Sequence, residues 1–77
     1  MKDVTIYSTE TCHYCVLAKD FFHDNSIEFK EYNVGIDIAK RREMVEKSGQ
    51  MGVPVIDVGG EIIVGFNEGR LRELLIK

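Results

Sequence analysis

Residues 53–64, VPVIDVGGEIIV, leave the chain little conformational choice. Two apolar, β-branched runs, 53–58 and 61–64, are separated only by Gly59-Gly60. A two-residue Gly-Gly connection supplies positive φ at little cost and signals a tight hairpin. An antiparallel strand pair is therefore expected here, and the remaining elements must be compatible with it.

Upstream, VTIYS (4–8) is β-branched and aromatic and reads as a strand. From Cys12 the pattern changes: Leu17, Ala18, Phe21 and Phe22 fall on one helical face, and HDNS ends that helix near Asn25. IEFKEYNV (27–34) alternates Ile27, Phe29 and Glu31 against Glu28, Lys30 and Tyr32 and reads as a second strand. Gly35 breaks the run. Asp37 is placed to cap a charged helix that ends at SGQ (48–50), with a thin apolar stripe of Ile38, Met44 and Val45. After the hairpin, Asn67 is placed to cap a last helix bearing Leu71, Leu74 and Leu75 on one face. The expected order is β-α-β-α-β-β-α, an α/β fold. The first β-α-β unit should be parallel with a right-handed crossover, and the hairpin should complete a four-stranded mixed sheet flanked by helices.

The 77 residues suffice for one domain, 1–77. A hydrophobic fraction of 44% fits a globular protein whose core is marginal for its size. Small domains often compensate with several disulfides or a metal, but two cysteines allow one disulfide at most. A net charge of -3 gives no electrostatic case for nucleic acid, and the one basic cluster, Lys40, Arg41 and Arg42, reads as a solvated helix face. No run approaches the ~18 apolar residues of a membrane span, and MKDVTIYSTE has no apolar core of signal-peptide length. The expected setting is the cytoplasm, away from membranes. Thiols there are mostly reduced, and a disulfide is more often catalytic than structural.

The whole thiol supply, Cys12 and Cys15, sits where the first strand gives way to the first helix. In a first helical turn, residues i and i+3 share a face, with Cβ atoms roughly 5–6 Å apart. A disulfide tolerates Cα separations of about 4.4–6.8 Å, so modest adjustment converts dithiol to disulfide. Such a bridge is a poor staple. It closes four residues, for which the chain-entropy relation gives roughly 2 kcal/mol against about 3 for fifteen. The placement suits reactivity instead. Cys12 falls at or beside the N-cap, where unpaired N–H groups and about half a positive charge favour thiolate over thiol. Cys15 lies a turn inside and should be buried. Cys12 would attack and Cys15 resolve the mixed disulfide.

Metal binding is the rival use of these thiols. One Cys-X-X-Cys supplies two of the four ligands of structural zinc. His23, eight residues past Cys15, lies over two turns along the axis and cannot readily close a mononuclear site. No metal is expected within one chain, although a dimer sharing two thiolates per chain, or a bridging iron–sulfur cluster, stays open as a different class of function. His13 is either an exposed first-turn residue or, when protonated, a modulator that favours the Cys12 thiolate.

Together, VTIYSTETCHYC, GVP before a hairpin, and VGFNEGRLREL make the chain resemble the glutaredoxin family of the thioredoxin-fold superfamily over nearly its whole length. The resemblance implies a dithiol oxidoreductase with Cys12 and Cys15 catalytic, reducing protein disulfides or glutathione mixed disulfides. It implies a cis bond at Val53-Pro54 facing the disulfide, and a Val53 backbone that pairs with an extended thiol substrate. Tyr14 would flank the bound thiol, and Arg41, Gly65, Phe66 and Asn67 would complete substrate binding. No tightly held cofactor is implied. The reductant would be glutathione or a flavin-dependent reductase, the protein partners disulfide-bearing substrates, and the state a monomer.

The departures are informative. His13 stands where many glutaredoxins have Pro, Thr9 where many have Lys or Arg, Met51 where a basic residue is frequent, and Gly52 where the T-V-P motif has Thr. Val64-Gly65 replaces a Gly-Gly pair, and Asn67-Glu68 replaces acidic residues. Gly65-Phe66 is similar to the small redoxins that donate electrons to ribonucleotide reductase and use thioredoxin reductase. A redoxin dedicated to one partner enzyme is therefore the alternative within the class.

Overall fold

The computed structural model describes residues 3–76. Four strands, β1 (Val4–Ser8), β2 (Lys30–Asn33), β3 (Val55–Val58) and β4 (Glu61–Val64), alternate with three helices, α1 (His13–Asp24), α2 (Ile38–Ser48) and α3 (Glu68–Leu75), in the order β-α-β-α-β-β-α. They form one mixed sheet in the order β2-β1-β3-β4. β1 and β2 are parallel, with Ser8 opposite Asn33. β3 runs antiparallel to both neighbours, with Tyr7 opposite Val55 and Val55 opposite Val64. The C-terminal ends of β1, β2 and β4 and the N-terminal end of β3 therefore share one edge of the sheet.

The two-residue period of the strands sorts side chains onto two faces. Val4, Ile6, Ile56, Val58 and Ile63 pack with Ala18, Phe21 and Phe22 of α1 and Leu71 of α3. The opposite residues, Tyr7 and Val55, pack with Val34 and Met44. The sheet thus carries helices on both faces, which is why β1 and β3 read as continuous apolar runs instead of strict alternations.

The hairpin forms as its Gly-Gly connection requires, with φ of 57° at Gly59 and 101° at Gly60. The Gly60 N–H donates to Asp57 Oδ1 at 2.8 Å. Strand β3 starts at Val55, two residues later than the apolar run suggested, because Pro54 has no N–H to give the ladder.

Two expectations need correction. The second strand covers only 30–33 of the expected 27–34. The chain is still leaving α1 at Ile27, whose N–H donates to Phe22 O at 2.8 Å, and Ser26 is left-handed at φ 56°. Ile27 and Phe29 pack on the core without joining the ladder. Ile38 does not help to bury α2: it is exposed at the first turn, and Val34 supplies the apolar contact beside Met44. The three caps follow the sequence. Cys12, Asp37 and Asn67 each accept an N–H from the residue three positions on.

Candidate active site

Cys12 is the N-cap of α1, with φ -86° and ψ 110°. Its Sγ accepts the Cys15 backbone N–H at 3.1 Å. The two cysteines are joined as a disulfide with their Cα atoms 5.2 Å apart. Cys12 is half-buried and Cys15 fully buried. In the reduced protein the same N–H and the free amides of the first turn surround the Cys12 sulfur with positive potential, which favours its thiolate. The asymmetry required for attack by one thiol and resolution by the other is thus built by the strand-to-helix junction itself.

The turn leading into Cys12 is held from both sides. The Cys12 N–H donates to Thr9 O at 3.4 Å, and the Val34 N–H donates to Ser8 O at 2.9 Å. A Cβ built on Gly35 would meet the Thr9 methyl at 3.6 Å, so the loop after β2 lies directly against Thr9. Across β1, the Val53-Pro54 bond is cis, and Pro54 is buried just ahead of the Tyr7–Val55 pair. Pro54 O accepts the Gly65 N–H at 2.8 Å, which ties the end of β4 to this segment. Gly65 has φ 79° with open space where a side chain would stand, so its backbone conformation is what excludes other residues.

The remaining sequence-expected site residues divide. Tyr14 and His13 are exposed beside the disulfide, their rings edge to face with centroids 5.6 Å apart. Val53 is half-buried beside Tyr7 and Val55. Arg41 is fastened to the β2–α2 loop: its Nε donates to Val34 O at 3.0 Å and its Nη2 lies 3.5 Å from Gly35 O. Phe66 packs on the α1 face of the core, with its ring centroid 6.2 Å from that of Phe21. Asn67 Oδ1 is occupied by the Arg70 N–H at 3.1 Å.

Two polar clusters went unnoticed in the sequence. Ser8, buried at the end of β1, donates its hydroxyl to Glu31 Oε2 at 2.8 Å. Lys19 Nζ donates to the same oxygen, also at 2.8 Å. The Lys19 hydrogen bond holds the Glu31 carboxyl below its ordinary value; partial burial opposes this, and the Ser8 hydroxyl adds to it. Lys19 lies one turn past Cys15 on the same helical face, so this pair clamps the active-site half of α1 onto β2. On the other face, the buried Tyr7 hydroxyl meets Glu43 and receives a hydrogen bond from Lys47 Nζ at 3.0 Å. Lys47 also reaches Asp57 at 2.9 Å. Burial and the Glu43 contact push the Tyr7 phenol up, while Lys47 works against them. This cluster fastens α2 to β1 and β3. One signal was available: a tyrosine inside a buried strand must find a partner for its hydroxyl.

Residues 4–63 match the glutaredoxin family model. The chain belongs to the glutaredoxin family, and with its Cys12–Cys15 pair it is a thiol–disulfide oxidoreductase. Glutaredoxins typically hold no tightly bound cofactor.

Among its relatives is the glutaredoxin-like 8.6 kDa protein in the rubredoxin operon of Clostridium pasteurianum, 43% identical over 74 residues, spanning 96% of this chain and 99% of that one. Glutaredoxin 3 of Escherichia coli K12 is 37% identical over 68 residues, spanning 88% of this chain and 82% of that one. The fold is thioredoxin-like. The crystal structure of a glutaredoxin from Archaeoglobus fulgidus superposes with a TM-score of 0.88 at 24% identity, covering 100% of this chain and 89% of that one. The glutaredoxin of Methanosarcina mazei Go1 gives 0.83 at 27% identity, covering 97% and 79%.

Proposed function

We propose that the protein is a dithiol glutaredoxin that reduces protein disulfides and glutathione mixed disulfides, acting as a monomer of one domain, residues 1–77, in the cytoplasm. The Cys12 thiolate attacks one sulfur of the substrate disulfide. A bond forms between Cys12 and that sulfur, and the other substrate sulfur leaves as thiolate and takes up a proton from water. Cys15, deprotonated, then attacks the Cys12 sulfur. The Cys12–Cys15 bond forms, the second substrate thiolate leaves, and two electrons have passed to the substrate. Two glutathione molecules, oxidised to their disulfide, or a flavin-dependent reductase return the pair to the dithiol.

The observation that carries this reading is the Cys12 sulfur acting as helix cap and accepting the Cys15 N–H. In the groove between Tyr14, Val53 and Gly65, the Val53 backbone would pair with the extended substrate and Tyr14 would flank its sulfur. Pro54 would shape the floor. Phe66, Asn67 and Arg41 would support that groove through packing, the α3 cap and the β2–α2 loop, and His13 would modulate Cys12 from beside it. Limiting iodoacetamide below pH 7 followed by peptide mapping tests the assignment. Cys12 should be labelled first, and preferential labelling of Cys15 would overturn it.

Reduction by a thioredoxin-reductase-type flavoenzyme, with one dedicated partner, is favoured by a specific set of residues. Thr9 and Met51 carry no charge, and the Arg41 guanidinium is engaged by Val34 and Gly35 carbonyls. Competing glutathione against such a reductase in one disulfide-reduction assay separates the two electron sources.

A further inference from the structure

Five of the large apolar side chains that stand exposed gather at the edge of the sheet that carries Cys12. Ile36 and Ile38 follow β2, with 77% and 68% of their surface open. Tyr14 follows Cys12, Met51 precedes the cis bond with 67% open, and Val64 ends β4. The sheet order puts these segments side by side: β2 next to β1, β1 next to β3, β3 next to β4. Contacts bind the row together, since Gly35 lies against Thr9 and the Gly65 N–H reaches Pro54 O.

A solvent-facing isoleucine in the short β2–α2 loop and another at the first position of α2 gain nothing for the core. Asp37 between them caps α2 through the Lys40 N–H at 3.0 Å, and Arg41 locks the loop carbonyls, so the loop holds a fixed shape with its apolar side chains outward. A preorganised apolar surface loses little ordering entropy when a partner covers it.

Charge argues for the chemistry of that partner. Glutathione presents two carboxylates and one ammonium. The turn before Cys12 carries an exposed Glu10, and the nearby Arg41 guanidinium already serves two carbonyls. Thr9 and Met51 bring no cation to the row itself, and the exposed Arg42, one turn beyond Ile38, stands beside it, so the row presents apolar surface around the thiol that an apolar segment of a protein substrate covers.

Resting on the dithiol reading above, we propose that the row Ile36–Ile38–Tyr14–Met51–Val64 is a docking surface for a protein disulfide whose cysteine is flanked by apolar residues. It makes Ile36 and Ile38 specificity determinants that touch the substrate chain without touching the reacting sulfurs. The catalytic thiol lies within the row, so apolar contact and disulfide exchange occur in one encounter.

The test uses the full chain, pre-reduced, in single-turnover reactions against three probes. Two are disulfide-linked peptide dimers differing only in the residues flanking cysteine, Leu and Val in one and Ser and Asn in the other. The third is hydroxyethyl disulfide, too small to touch Ile36 or Ile38 while its sulfur meets Cys12. Wild type should reduce the apolar peptide at least about tenfold faster than the polar one, which corresponds to about 1.4 kcal/mol. The double variant Ile36→Ser/Ile38→Ser should cut that preference below about threefold and leave hydroxyethyl disulfide reduction unchanged. Both side chains are exposed, so the variant keeps its core. Equal rates on the two peptides in wild type, or an undiminished preference in the variant, would overturn the proposal while leaving the dithiol chemistry standing. Failure of wild type on hydroxyethyl disulfide would overturn the dithiol reading itself. Sedimentation of a dimer that the double variant abolishes would assign the row to a second copy of this chain and overturn the proposal as well.

Discussion

Replacing Cys15 with Ser leaves Cys12 as the sole thiol and exposes the energetics of the helix cap to direct titration. The Cys12 sulfur sits 3.1 Å from the Cys15 amide nitrogen, and the serine variant retains that backbone donor. A hydrogen bond to a charged acceptor contributes about 1.5–3 kcal/mol, and one pKa unit is about 1.36 kcal/mol. The thiol should therefore titrate below its ordinary value of about 8.5. The rate of iodoacetamide alkylation against pH reads this midpoint. The same shift has a consequence for stability. A group whose folded pKa is depressed stabilises the fold above its unfolded pKa, and that stability is lost as pH falls through the folded value. Urea unfolding of Cys15→Ser should thus gain up to about 1.5–3 kcal/mol as pH rises through the thiol's titration. Cys12→Ser/Cys15→Ser should lack that gain. A midpoint at or above 8.5, or parallel stability profiles for the two variants, would refute the electrostatic account of Cys12.

Cys15→Ser should accumulate a mixed disulfide with substrate, visible as an added mass that dithiothreitol removes, whereas Cys12→Ser should lose reductase activity entirely. Thr9→Lys should lower the KM for glutathione mixed disulfides by severalfold with little change in kcat, because it returns a cation to the turn before Cys12; an unchanged KM would count against the ligand orientation described here. Met44→Ala should destabilise the fold by about 2–5 kcal/mol in denaturant titration, since the side chain is fully buried between α2 and the sheet. Glu31→Gln should flatten stability between about pH 3 and 5. The Glu31 carboxyl is held down in the folded state, so its contribution exists above the unfolded value and fades as pH falls, and its solvent exposure limits the effect to under about 1 kcal/mol.

The element order was legible because each boundary is written locally. Gly59-Gly60 demands positive φ, Asp37 and Asn67 are short acceptors ahead of helical periodicity, and Gly49 ends α2 at φ 76°. Cys12 and Cys15 were legible for a related reason: their spacing and their position at a helix start define the chemistry without tertiary information. What escaped depends on partners distant in sequence. Glu31 looked like the polar end of the strand face begun by Ile27 and Phe29 until Ser8 and Lys19, from two other elements, met on its carboxylate. Ile38 looked like core by periodicity, but α2 starts at the sheet edge, where nothing stands over its first turn. The true length of β2 was hidden because apolar alternation at Ile27 and Phe29 reports burial, which a chain crossing from helix to sheet edge satisfies as well as a strand does.

The orientation of Arg41 bears directly on the proposed docking surface. A cation at this point of α2 could face outward and receive a carboxylate, or turn inward and fasten the loop that follows β2. Here its Nε donates to Val34 O, and Val34 itself is held by Ser8 of β1. The guanidinium therefore stabilises the loop that displays Ile36 and leads into Ile38, three and five residues beyond the end of β2 and beside the turn into Cys12. Moving it outward to meet glutathione would cost about 1–3 kcal/mol for the buried Val34 carbonyl left without its donor, comparable with what one charge-assisted contact returns. Thr9 and Met51, both uncharged, supply no cation that offsets that loss. The residue that could have served the tripeptide instead fastens an apolar loop, as the proposed docking of an apolar protein segment requires.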